Sequence, residues 1–132
     1  MSWLEFSENK PPRTFTVGVE ASREIRDCGT LHLEPDEQVT FLLGESEYDV
    51  VRKDWGFYAT PSLNGRLLDN GLHAVLVRNR FGKFYVFLVE DGRTGELQRY
   101  LDEDQISIVT WLDTDEALDD LVRGLALIDS SR

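Results

Sequence analysis

Cysteine is nearly absent from this chain, which holds a single one, Cys28, among 132 residues. One thiol cannot close an internal disulfide, which excludes a disulfide-stapled secreted scaffold and makes the cytoplasm the expected compartment. No base lies beside Cys28 in the sequence, so it reads as a small buried packing residue rather than a nucleophile. Histidine is almost as scarce, with only His32 and His73. Absent too is any apolar run of ~20 residues, so no membrane-crossing helix and no membrane partner are expected. The opening residues, MSWLEFSENKPPR, lack the apolar stretch of a secretory leader. Basic residues are outnumbered, 14 against 25 acidic, for a net charge of −11. That balance repels a phosphate backbone, so nucleic acid is not the expected partner. Arg78, Arg80 and Lys83 do gather, and they read as the solvated tip of a hairpin.

What remains is a chain with 41% hydrophobic residues and the length of one domain, enough to bury a core of ordinary size. Residues 1–12 read as a loosely attached lead-in closed by Pro11-Pro12, with Trp3, Leu4 and Phe6 able to dock on the body or on a second subunit. A single β-rich domain follows over 13–132. Its strands are expected at 13–20, 28–33, 38–43, 46–51, 55–60, 72–79, 83–90 and 106–112, from alternating or β-branched runs bounded by glycine and proline. The runs LHAVLVRN and KFYVFLVE, joined by Arg80-Phe81-Gly82, predict a hairpin with a bulged turn. ELQRYLDEDQ, residues 96–105, is open between a short helix and a loop.

One helix is predicted over 114–128. Asp113 is placed to cap it, with Glu116 reaching back. Ala117, Leu118, Leu121, Val122, Leu125 and Ile128 form a stripe at helical spacing. Such a stripe has no use in isolation, so the helix is expected to pack on the sheet or on a partner, and a homodimer is the expected assembly. About eight strands with one C-terminal α-helix make the fold class mainly β, a sandwich or barrel.

One stretch carries a resemblance. From His32, four residues precede Glu37 and six more precede Gly44. Further on, in WGFYATPSLNGRLLDN, Pro61 and Asn70 stand in register with Arg66 between them. Residues 29–70 are thus similar to the two-part motif of the cupin family. The family writes its first half as Gly-x5-His-x-His, three or four residues, Glu, six residues and Gly. The second half is Gly-x5-Pro-x-Gly-x2-His-x3-Asn. Here Thr30 stands for the first histidine, Arg66 for the last, and Trp55 and Leu63 for two glycines, with a spacer of ten residues between Gly44 and Trp55. The resemblance implies a jelly-roll barrel. It also implies a metal held by three histidines and a glutamate, for which only His32 and Glu37 stand at matching places. Arg66 has no acceptor lone pair and would repel a cation, so no metal and no other cofactor are expected.

Three functions follow as expectations. One is a small-molecule binding module for a polar or anionic ligand, such as a sugar or nucleotide sugar. There Arg66 would be the anchor and Trp55, Glu37 and Asn70 would stand around it. Against this, Trp55 and Phe57 could be core, with Arg66 paired to Asp69 or Asp54. The second, implied by metal-independent cupin-like enzymes, is a sugar epimerase or isomerase, with His32 or His73 as base and Tyr58 or Tyr85 as acid. The third is a non-enzymatic interaction or regulatory module, in which the acidic surface and the last helix meet another protein.

Overall fold

The computed structural model describes residues 4–18 and 22–127. Eight strands and three helices run in the order β1 (Glu5–Val17), β2 (Arg23–His32), β3 (Gln38–Leu43), β4 (Ser46–Lys53), β5 (Gly56–Ala59), α1 (Arg66–Asp69), β6 (Leu72–Arg78), β7 (Phe84–Glu90), α2 (Thr94–Asp104), β8 (Ser107–Trp111) and α3 (Asp115–Ala126). The fold is mainly β, as the patterning predicts. The strands form three separate antiparallel sheets, β1-β2, β3-β4-β5 and β7-β6-β8, and no closed barrel forms among the described residues.

The centre of the molecule is β6. Alternation sends Val75 and Val77 to one face, where they are fully buried with Leu101 of α2. It sends Leu72 and Ala74 to the other, where they meet Leu67 of α1, Tyr48 of β4 and Leu88 of β7. A strand covered on both faces has no polar side to show, hence its nearly continuous apolar run. Leu67 is the link between the second and third sheets. The β6–β7 turn is built by Asn79, whose side-chain oxygen accepts from the N–H of Phe81 (3.0 Å) and of Lys83 (2.9 Å). Gly82 supplies the positive φ of 77° that the turn requires.

Residues 96–105 resolve into α2, because Leu97, Tyr100 and Leu101 share one helical face turned to the third sheet. The helix ends at Gln105, which is left-handed at φ 58°. The last helix is present, but Thr114 caps it, its side chain accepting from the N–H of Ala117 at 3.1 Å. Asp113, the expected cap, has a different task, described below. No residue of α3 is fully buried, but Ala117 and Leu118 are half-buried, and Asn64 donates to Asp115 at 2.6 Å. The rest of the expected stripe, Leu121, Val122 and Leu125, stays exposed. Ile128 lies outside the described residues.

The N-terminal segment also departs from expectation. The strand expected from residue 13 begins at Glu5, so residues 5–12, read as a lead-in, are strand. Trp3 lies outside the described residues, as do Val19 and Glu20. β1 and β2 pair over Glu5–Glu8 and again over Arg13–Val17, with an irregularity between. Cross-strand pairs Phe6–Leu31 and Phe15–Ile25 fall on one face, since Ile25, Gly29 and Leu31 share the parity of β2. Those four apolar side chains are exposed. Cys28 points to the opposite face and is exposed, not buried. The ribbon is therefore an arm. Arg23 moors it, donating to Asp104 (2.8 Å) and Glu103 (2.6 Å) at the end of α2.

Candidate functional site

The residues singled out by the cupin resemblance do not converge. His32 ends β2 with Nε2 3.4 Å from a Glu34 carboxylate oxygen. The Glu37 carboxylate accepts from the N–H of Glu34 at 2.6 Å, which serves the turn into β3. Asn70, following α1, donates to the carbonyl of Glu47 at 3.1 Å. Among the described residues no three His, Cys, Asp or Glu side chains gather as a metal-ligand set, and this donor set does not fit the family's metal.

Arg66 is committed within the protein. Its Nη1 donates to Asp49 at 2.6 Å and its Nη2 to the Thr60 hydroxyl at 3.0 Å. Asp49 is a buried residue of β4. The Thr40 hydroxyl, donating at 2.5 Å, and the Arg66 guanidinium hold its carboxyl below the usual carboxylate range, against the opposing effect of burial. The pairing expected with Asp69 or Asp54 is thus made with Asp49 instead, and it ties α1 to the second sheet. Trp55 and Phe57 are 71% and 67% exposed, so neither is core. Trp55 stacks on Tyr58 with ring centroids 6.0 Å apart and planes 13° from parallel. Strand alternation would place these two rings on opposite faces, and their stacking was not expected.

His73 of β6 is held from both sides. Nδ1 lies 2.9 Å from Asp113, and Nε2 contacts Asp91, just past β7. Burial would lower its pKa, but the hydrogen bonds to Asp91 and Asp113 outweigh that and raise it above the ordinary value. An imidazolium donating through both nitrogens has no lone pair left to act as a base. The cavity of about 350 Å³ beside it is lined by Glu45, Asp69, Asn70, Glu90 and Asp91. In this state His73 is a staple joining β6, the β7–α2 turn and the β8–α3 connection.

The larger clefts lie elsewhere, on either side of an aromatic wall. Phe87 of β7 meets Tyr100 of α2 edge-to-face, centroids 6.1 Å apart. On one side, a cleft of about 490 Å³ runs along residues 86–90 of β7, an edge strand, to Leu97 and Arg93, with Leu43 of β3 at its rim. On the other, about 510 Å³ is enclosed by Tyr85, Phe81, Ile106 and the end of the arm at Thr16, Val17 and Gly18. Of the expected acid–base residues only Tyr85 lines one of the three cavities described, and neither histidine accompanies it there. Sequence reasoning passed over Tyr100 and Phe87 as candidates. Their signal was the i, i+3, i+4 spacing of Leu97, Tyr100 and Leu101 beside the aromatic alternation of KFYVFLVE.

No family model, curated protein or solved structure matches the chain.

Proposed function

We propose that this protein is a non-enzymatic interaction module, which works by presenting apolar surface from its arm, its last helix and the edge of β7 to another protein. One observation carries the reading. The chain exposes 9744 Å², whereas a compact monomer of 15.2 kDa exposes about 7,100 Å². Large apolar side chains are among those exposed. Phe6 and Phe15 of the arm are 59% and 51% exposed, Val122 and Leu125 of α3 are 65% and 52% exposed, and Phe84 and Val86 of β7 stand equally open. Contiguous exposed apolar surface marks a site of association. A small-ligand or epimerase reading has less support, since Arg66 is paired internally and His73 is doubly clamped.

The test is to place charge on these side chains. In an interaction module, Phe15→Asp and Leu125→Asp leave the unfolding free energy of the dilute, dissociated chain within about 0.5 kcal/mol of the parent, as at surface positions. A loss of roughly 2 kcal/mol or more in the dilute chain would assign these residues to the protein's own core and overturn the reading.

A further inference from the structure

Resting on that reading, we infer that the partner is a second copy of this chain. The apolar face of each β1–β2 arm and the stripe of each α3 form the two halves of one two-fold interface.

An isolated two-stranded ribbon is at best marginally stable in water, and needs a third strand or a helix against its apolar face. Among the described residues the ribbon has no third strand, and Phe6, Phe15, Ile25 and Leu31 stand exposed. Outside the β1–β2 pairing, the arm makes only marginal contact with other elements among the described residues, apart from the Arg23 mooring. The helix has the converse deficiency. Leu121, Val122 and Leu125 present a ridge that stands exposed among the described residues. An apolar ribbon and an apolar helical ridge are complementary, both are carried by every copy, and both stand exposed among the described residues. A two-fold axis that brings one arm onto the partner's helix does the reverse at the same time and closes the assembly.

The areas agree with this. If each copy buries its surplus of about 2,600 Å² over the compact-monomer expectation, the pair buries about 5,000 Å², the range of obligate homodimers. Charge distribution favours the arm as the meeting surface. Residues 1–32 hold four basic and five acidic side chains, so ten of the eleven net negative charges belong to the remainder of the chain. Two such bodies repel face to face, whereas a near-neutral arm approaches either without that opposition.

Cys28 allows the intact chain to be tested. It is the only cysteine, it is exposed, and it points away from the apolar face of the arm, so a nitroxide there leaves the interface free. Light scattering behind size exclusion is expected to give twice the 15.2 kDa chain mass, and the labelled protein a single defined distance between spins. Phe15→Asp and Leu125→Asp should each weaken association by about thirtyfold or more, as for the loss of an interface anchor. Thr14→Asp, on the opposite face of the arm, should not. A wild-type monomer at high concentration, or an open-ended polymer, overturns the proposal. So does a dimer unchanged by both charge substitutions. Amide exchange separates this failure from failure of the broader reading. A monomer whose arm exchanges freely still presents an interaction surface to some other partner, whereas a monomer with a protected arm covers its own faces and sinks both.

Discussion

Arg23 lays its guanidinium over the ring of Tyr100, 4.1 Å from the centroid, while donating to Asp104 one turn further along the same helix. One side chain thereby fixes where the arm leaves the body. Asp104 needs it, because a buried carboxylate at the C-terminal end of a helix faces the negative pole of the dipole, and its Oδ1 has no hydrogen-bond partner among the described residues.

Arg23→Ala is accordingly expected to lower the melting temperature and to speed amide exchange in β2. Asp104→Asn in the same chain should restore part of the loss, since a neutral amide no longer requires a cation. A double-mutant cycle by thermal unfolding measures the coupling. Strictly additive effects would show that the mooring is incidental.

His73 predicts a pH dependence with a definite sign. Its folded pKa is raised above its unfolded value near 6.5. The stabilisation from its two carboxylates is therefore complete below about pH 6.5 and is lost as pH rises through the folded value. Chemical denaturation across that window should show stability falling on the alkaline side, and His73→Asn should remove that slope. A ring-proton titration by NMR with a midpoint at or below the free value would contradict the clamp.

Arg66 should behave as a structural cation. Replacing it by methionine leaves the buried Asp49 carboxylate without its charged partner, at a cost of roughly 1–3 kcal/mol. Lysine should recover little, because the two contacts use different nitrogens of a planar fork. The loss should shrink in acid, since Asp49, whose folded pKa is lowered, gives up its stabilising contribution as pH falls through that folded value. Equilibrium unfolding in urea at neutral and acid pH measures all three.

Trp55→Ala is the converse case. A core tryptophan would cost roughly 3–5 kcal/mol on truncation. This exposed one should cost less than about 1 kcal/mol, mostly its stacking on Tyr58. Differential scanning calorimetry of the two proteins distinguishes the values.

Local signals were legible in the sequence wherever a run of residues decided its own conformation. The six strands from β3 onward were expected close to where they occur, whereas β1 and β2 begin eight and five residues before their expected starts; the hairpin around Gly82 was read from LHAVLVRN and KFYVFLVE. The helix after Asp113 was placed within two residues at each end. What failed were statements about what lies beside what. Trp55 and Phe57 have the composition of a buried strand, yet both stand exposed among the described residues. Cys28 is small and apolar enough to be core, but the arm has no core. Asp113 is as good a cap as Thr114 by residue type, and it is His73, forty positions earlier in the chain, that takes its carboxylate. The short helix α1, four residues long, gives no periodic signal, and the pairing of Arg66 with Asp49 rests on it.

The pairing order of the sheets bears on how the chain assembles in time. β3, β4 and β5 pair in succession, as do β6 and β7, and β8 returns to β6 after one helix. Nearly every pairing closes a short loop, the condition for rapid folding. The mooring of the arm is the exception, joining residues 81 positions apart. The body from β3 onward can therefore reach its native arrangement while the arm is still unattached. During synthesis the arm emerges before α2, so Arg23 has no Asp104 to bind until α2 has followed. A segment made before α2 is thus fixed only after α2 has formed.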